Sequence, residues 1–408
     1  MSRTRVVVTG IGLATPIGNS LRDVSTALRE GRHGIVTVPD WDEIQHLKTR
    51  LAAPVRNLEL DYPRKKIRTM GRVALLSLYA TDRAIEDAGL TEEVLQSGRT
   101  GVAYGSTSGS SSANEDWCRK LFMSPGLTGI QATEYIKVMS HTCAANLAIY
   151  YGLTGRVVST CAACVSASQA IGAGYEAIRA GVQDVMICGG AEEMHFSHAA
   201  VFDIMYAASS RYNATPELTP RPFDKDRDGL VVGEGAGTLV LESYERARAR
   251  GATIHAELLG YGTNCDGNHM TNPSSEGMAG AMRLALADAR LAPERIGYVN
   301  AHATATEVGD IAESIATAQV LGTQVPISST KSFTGHTLGA CGAVEAAFCV
   351  AMLEEGWLAP NRTLDHVDER CARLAYVGKE PREAALRVAM SNNFAFGGIN
   401  TSLIIGSL

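Results

Sequence analysis

An α/β layered fold is what this sequence predicts, on three observations. Strand-like and helix-like segments alternate along the 408 residues. Glycine punctuates the junctions between them, with 41 glycines in the chain. Two Ala- and Gly-rich helical segments, one early and one late, each follow a strand and each end at a glycine.

In chain order, Val6–Val8 reads as a strand that runs into Gly10-Ile11-Gly12. Its apolar run is too short, and glycine follows too soon, for the core of a signal peptide. Leu21–Arg29 and Val73–Ala88 carry helical patterns, and Cys164–Ala180 continues as a helix that stops at Gly181. Val185–Cys188, Thr238–Leu241 and Tyr298–Asn300 are short strands of the buried type. Val325-Pro326-Ile327 is a further strand, and Thr337–Gly356 repeats the small-residue helix of Cys164–Gly181. Small residues let such helices pack closely in a central layer. The expectation is two related halves, residues 1–250 and 251–408, each bringing a helix N-terminus to a shared centre.

The chain is too long for one simple core. Its 45% hydrophobic and 20% charged residues describe a globular protein. Lys and Arg number 37 against 43 Asp and Glu, and the net charge of −6 argues against a general nucleic-acid binder. Nine cysteines at scattered spacings fit a reducing cytoplasm better than a disulfide framework. No stretch approaches the ~18 uninterrupted apolar residues of a membrane span.

Four side chains stand in small-residue frames that suit chemistry. Cys164 lies in Ser159-Thr160-Cys161-Ala162-Ala163-Cys164-Val165-Ser166, where a helix begins and its dipole favours thiolate. His302 lies in Asn300-Ala301-His302-Ala303-Thr304-Ala305-Thr306, after an apolar run. Lys331 and His336 share Ser329-Thr330-Lys331-Ser332-Phe333-Thr334-Gly335-His336. A thiol can hold an acyl group as a thioester, and neutral imidazoles can donate to a carbonyl oxygen as it becomes an enolate. Lys331 follows a strand and is expected to point inward, where Glu313 or Asp310 would supply its carboxylate partner. Cys161 is assigned a structural role, as are Arg227, Asp228, Glu234 and Glu192.

Other signals dissolve on inspection. Cys161-Ala162-Ala163-Cys164 lacks a second pair to complete a zinc site, and the sequence has no HExxH, so no metal is expected. Asp224-Lys225-Asp226-Arg227-Asp228-Gly229 starts like a calcium loop but places Gly235 where the bidentate Glu belongs. Gly10-Ile11-Gly12 lacks the third glycine of a dinucleotide turn.

Taken together, these frames resemble the elongating β-ketoacyl-acyl carrier protein synthases, condensing enzymes of the thiolase superfamily. The likeness spans nearly the whole chain: Arg5–Gly18, Asp184–Glu192, Arg221–Gly237, Asn300–Asp310, Ser329–Gly339 and Asn393–Asn400. The resemblance implies the thiolase fold, a five-layer α-β-α-β-α sandwich. It implies that Cys164 accepts the acyl group, that His302 and His336 bind the thioester carbonyl of malonyl-carrier protein, and that Lys331 organises the site with Glu313 and Asp310 behind it. It further implies an oxyanion hole from the N–H groups of Cys164 and Phe396, and a gate at Phe396 with Asp266 on a loop beside it. Thr304 and Thr306 would hold the phosphopantetheine arm. The expected partner is acyl carrier protein, in a cytoplasmic homodimer or a heterodimer with a chain-length factor, without cofactor.

Acyl carrier proteins of this pathway are acidic, which directs attention to the basic cluster Arg64-Lys65-Lys66-Ile67-Arg68 with Arg72 nearby. Lys65, Lys66 and Arg68 are the expected docking residues, aided by Arg119 and Lys120. Departures from the family pattern suggest a specialised member. Ala303 and Ala305 replace Gly and Ser, Ala395 replaces the first glycine of the gating loop and Ile399 its Thr, and Arg156 stands where Pro is frequent. Alanine at a hinge that uses glycine conformations predicts a stiffer or differently shaped gate. The alternatives are the ketosynthase subunit of a type II polyketide or aryl-polyene system, a non-catalytic chain-length factor, and a CoA thiolase. Retention of Cys164, His302 and His336 opposes the second. The absence of a second Cys in the C-terminal Asn-Phe-Ala-Phe-Gly-Gly opposes the third.

Overall fold

Residues 4–123 and 126–408 are described by a computed structural model. Eleven strands form one sheet. They are β1 (Val6–Ala14), β2 (Thr100–Gly105), β3 (Val157–Thr160), β4 (Val185–Glu192), β5 (Gly235–Ser243) and β6 (Ala256–Cys265), followed by β7 (Tyr298–Asn300), β8 (Pro326–Ser328), β9 (Ala375–Tyr376), β10 (Val388–Ala395) and β11 (Ile399–Gly406). The six helices that cover it are α1 (Arg72–Ala88), α2 (Thr142–Tyr151), α3 (Ser166–Arg179), α4 (Ser275–Ala289), α5 (Glu307–Leu321) and α6 (Cys341–Glu355).

The sheet repeats itself. Its first part runs β3-β2-β4-β5-β1 and its second β8-β7-β10-β11-β6, with β9 added at the far edge. In both parts the first three strands are parallel and the last two antiparallel to their neighbours. Antiparallel pairing of β1 with β6, Val6 opposite Leu258, joins the two parts.

Helices α1 and α2 cover the outer face of the first part, and α4 and α5 that of the second. Helices α3 and α6 lie between, each touching strands of both parts and each other. The result is the five-layer α-β-α-β-α sandwich of the thiolase fold. Sequence explains which helices go inside. In α6 every residue from Cys341 to Leu353 is buried, the signature of a helix apolar on all sides. In α3, a Cβ on Gly172 would meet the Tyr261 ring at 2.3 Å, and one on Gly174 the Cys188 sulfur at 2.1 Å. Only glycine allows that approach.

The helical pattern over Leu21–Arg29 is a helix with those bounds, capped by the Ser20 side chain. Several strands extend beyond their apolar cores, as β4 does from Val185 through Glu192. Thr337–Gly356 is less regular than its pattern suggested. A short turn at Leu338–Ala340 precedes α6, which ends at Gly356 in the left-handed conformation.

Candidate active site

Cys164 stands on a single 3-10 turn, Ala163–Val165, between β3 and α3. The turn is entered through Ala163 at φ +49, a left-handed conformation that alanine adopts at a cost of roughly 1 kcal/mol. Ser166 holds it: its hydroxyl accepts the Ala162 N–H and lies 2.7 Å from the Ala163 carbonyl. Cys164 is buried, and its Sγ lies 2.9 Å from His336 Nε2.

His336 arrives from the second half of the chain, after the one-turn helix Lys331–Thr334 and Gly335 at φ +65. Its backbone is pinned to the first half, donating to the Val231 carbonyl and accepting from the Gly233 N–H. His302 follows β7, and its N–H and that of Ala303 both donate to the Glu313 carboxylate on α5, at 2.9 and 2.6 Å. The two imidazoles are nearly perpendicular, with ring centroids 5.1 Å apart. Burial, with the Lys331 charge acting in the same direction, holds both well below the usual histidine range, so both are neutral. Both Nδ1 atoms are buried without a hydrogen-bond partner among the described residues.

Two expectations are corrected here. Burial pushes the Cys164 thiol up to about 12, and the opposing Lys331 charge does not offset it. Desolvation outweighs the favourable charge, and the resting group is a thiol rather than a thiolate. The partner of Lys331 is Glu345 on α6, not Glu313 or Asp310. Both members of that pair are almost wholly buried, and Asn393 Nδ2 donates to the second Glu345 oxygen at 2.7 Å. Burial alone would lower the Lys331 pKa, but the Glu345 charge reverses this and leaves it raised. Glu313 instead orders the His302 loop, and burial raises it to about 8. Asp310 accepts from the N–H groups of Ala305 and Phe223 and lies beside buried Arg227.

The ligating atoms of Cys164, His302 and His336 lie within 4.8 Å of one another, a separation that would also suit a metal ion. The buried Lys331 cation, whose field reaches all three, disfavours a divalent ion there. Around the trio opens a cavity of about 270 Å³, lined mainly by apolar side chains such as Phe202, Met205, Leu230, Met278, Phe394 and Phe396. Thr304 and Thr306 line it too, their hydroxyls 3.1 Å apart.

Phe396 occupies the β10–β11 turn and packs on Phe202 with centroids 5.8 Å apart. Gly397 donates to the Met270 carbonyl at 2.7 Å, and Asp266 to that of Gly398 at 2.9 Å, so the two loops are laced together. The left-handed positions of this turn are Gly397 and Gly398. Ala395 is the last residue of β10, paired with Ile399, and needs no glycine conformation. The expected backbone cost of alanine at that hinge is absent.

Lys65, Lys66 and Arg68 are exposed on and beside the short helix Arg64–Ile67, and no carboxylate pairs with them among the described residues. Arg72 leaves that cluster, folding inward to buried Glu234. Arg119 pairs with Glu115, and Lys120 with Asp116 and Glu134. Sequence reasoning missed Glu345, Asn393 and Cys341. Glu345 had a signal: it is the one charged residue in an otherwise apolar run from Cys341 to Leu353, and a buried carboxylate demands a partner.

With this geometry set out, comparison with known proteins decides the family. Residues 3–247 match the N-terminal domain of β-ketoacyl synthases and residues 255–365 their C-terminal domain. The chain belongs to the β-ketoacyl synthase family. It is an acyltransferase-type condensing enzyme. It is 39% identical over 402 residues to 3-oxoacyl-[acyl-carrier-protein] synthase 1 of Haemophilus influenzae, covering 98% of both chains. A solved β-ketoacyl synthase of Burkholderia phymatum superposes with a TM-score of 0.96 at 51% identity, covering 99% of this chain and 100% of that one. The ishigamide ketosynthase/chain length factor superposes at 0.92 with 32% identity and full coverage of both chains.

Proposed function

We propose that this β-ketoacyl synthase joins an acyl group held on Cys164 to malonyl-acyl carrier protein, giving a 3-oxoacyl-carrier protein two carbons longer. The observation that carries this reading is the 2.9 Å contact between Cys164 Sγ and His336 Nε2, with neutral His302 beside it. In the first stage His336 Nε2–H donates to the Cys164 sulfur as it attacks the incoming thioester, and the Cys164 proton passes to the phosphopantetheine sulfur being expelled. The carrier then departs. In the second stage His302 and His336, both as Nε2–H donors, hold the malonyl thioester carbonyl while CO₂ is lost and an enolate forms. The enolate attacks the acyl-Cys164 carbonyl, whose oxyanion rests on the N–H groups of Cys164 and Phe396. Collapse expels the Cys164 sulfur, which regains a proton from solvent. Electrons and atoms balance without a redox cofactor.

Thr304 and Thr306 are suited to hydrogen-bond the pantetheine arm, and Phe396 with Asp266 to gate the acyl side of the cavity. Lys65, Lys66 and Arg68 are the proposed docking site for the acidic carrier protein, supported by their exposure and by having no carboxylate partner among the described residues. A homodimer formed along β3 is supported by that strand's place at the sheet edge and by exposed Val157 on it and Ile149 on the neighbouring helix α2. Likeness to a ketosynthase/chain length factor structure keeps a heterodimer as the second reading. Nine free cysteines fit a cytoplasmic setting. Among the described residues no helix is long and apolar enough to cross a membrane. Intact-protein mass spectrometry after incubation with acyl-carrier proteins tests the first stage. One acyl mass on the wild type, mapped to the Cys164 peptide and missing from Cys164→Ala, supports it. Equal loading of both refutes it.

A further inference from the structure

Behind the nucleophile lies a second thiol that the mechanism above does not use. Cys341, the first residue of α6, is almost wholly buried, and its Sγ lies 3.1 Å from the carbonyl oxygen of Cys164. We propose that Cys341 is a positioning residue, whose S–H donates to the Cys164 carbonyl and holds the nucleophile's turn in the geometry that meets His336. This inference rests on the reading of Cys164 as the acyl acceptor.

The turn has reason to need such a tie. It is entered through left-handed Ala163, a conformation that relaxes unless its neighbours hold it. Ser166 secures the residues before the nucleophile, Ala162 and Ala163. The side-chain donor that reaches the nucleophile's own carbonyl is Cys341, and it comes from the other half of the chain. The same Cys164–Val165 peptide donates its Val165 N–H to the Ala162 carbonyl at 3.2 Å, so the Cys341 contact fixes its other end and with it the turn that carries Sγ to His336.

Cys341 is itself held in place. Asn393 Nδ2 lies 3.4 Å from its sulfur and 2.7 Å from Glu345, whose other oxygen pairs with Lys331. The charged and titratable groups acting on it are therefore Lys331, Glu345 and Cys164. Burial and the Glu345 charge keep the thiol well above the usual cysteine range, so it remains a donor throughout the working pH range. A fixed donor suits positioning, and a thiol whose ionisation is disfavoured competes poorly as a nucleophile. The same chain of contacts links the buried Lys331–Glu345 pair to the backbone of the acyl-accepting residue.

The test compares variants that keep a donor with variants that remove it. Cys341→Ser retains an O–H, Cys341→Ala removes the donor, and Cys341→Val removes it while filling the space. Acyl loading of Cys164 is followed by rapid-quench mass spectrometry, and condensation kcat and KM are measured with malonyl-carrier protein. The expected result is a fall of about tenfold in loading rate and kcat for Ala and Val, the effect of losing one hydrogen bond at the nucleophile, with KM unchanged. Ser is expected to stay within about twofold of wild type. Wild-type rates in Ala or Val would overturn the inference. So would an equal loss in Ser and Ala, because that pattern reports packing rather than a donor. Loading that persists in Cys164→Ala would instead remove the underlying reading of the acyl acceptor.

Discussion

Cys164 shows how far a residue's chemistry depends on what surrounds it. Its frame of small residues at a strand–helix junction was legible in the sequence, as were those of His302 and His336. Its protonation was not, because desolvation depends on what else packs there. With the thiol held near 12, alkylation of Cys164 by iodoacetamide should keep accelerating as pH rises through 10. A plateau near pH 8.5, the ordinary cysteine range, would contradict this. Lys331 was legible as an inward-pointing cation, but its partner was not. Glu313 and Asp310 drew attention because they follow the His302 motif, whereas Glu345 lies in the apolar run of α6 and reaches Lys331 through the placement of that helix. Removing one member of this buried pair strands the other, so Lys331→Met should cost about 3–5 kcal/mol of stability. The double variant Lys331→Met with Glu345→Leu should recover much of that loss in thermal melts while condensation stays impaired. Equal melting of the single variant and the wild type would show that the pair is not buried as described.

At the scale of elements, the β10–β11 turn and the His255 bridge between α1 and α6 make separate predictions. The β10–β11 turn takes its shape from Gly397 and Gly398, not from position 395. Ala395→Gly should therefore leave the profile of accepted acyl lengths unchanged. Gly398→Ala should not, since its Cβ would lie 2.0 Å from Asp266 Oδ1 at φ +71, forcing the two loops apart and slowing acyl transfer. The reverse outcome for the pair would return the hinge to Ala395. The presence of glycines near the C-terminus was readable, but which of them uses a left-handed conformation depends on where β10 ends. His255, just before β6, bridges Asp87 of α1 and Glu354 of α6. Burial opposes its charge, but the two carboxylates raise it to about 9. Its folded pKa thus exceeds the unfolded value of ~6.5, so its stabilisation is full below that pH and lost as pH rises through 9. His255→Gln should lower the melting temperature clearly at pH 6 and little at pH 10. An equal drop at both would rule out an ionic role.

For the whole molecule, the repeated strand order explains why the site needs both parts of the chain. Each part delivers one central helix, and the site forms where α3 and α6 meet: Cys164 comes from the first, His302, Lys331 and His336 from the second. Alternation and the two small-residue helices made the layered class legible. The joining of both parts into one sheet through β1 and β6 was not, since strand pairing between distant segments leaves little trace in one sequence. The proposal of two halves dividing near residue 250 rests on that repetition of order and direction. On the surface, reversing Lys65 and Arg68 to Glu should raise the KM for acyl carrier protein about tenfold at low salt with kcat little changed. An unchanged KM would move docking elsewhere. The central claim, carbon–carbon bond formation through Cys164 with two neutral imidazoles, is tested most directly by product analysis. Wild type, Cys164→Ala, His302→Ala and His336→Ala would each receive an acyl-carrier protein and malonyl-carrier protein, with CO₂ and 3-oxoacyl product followed by mass spectrometry. The proposed chemistry predicts a product two carbons longer than the primer from the wild type alone. The same product formed at wild-type rate by Cys164→Ala would contradict it.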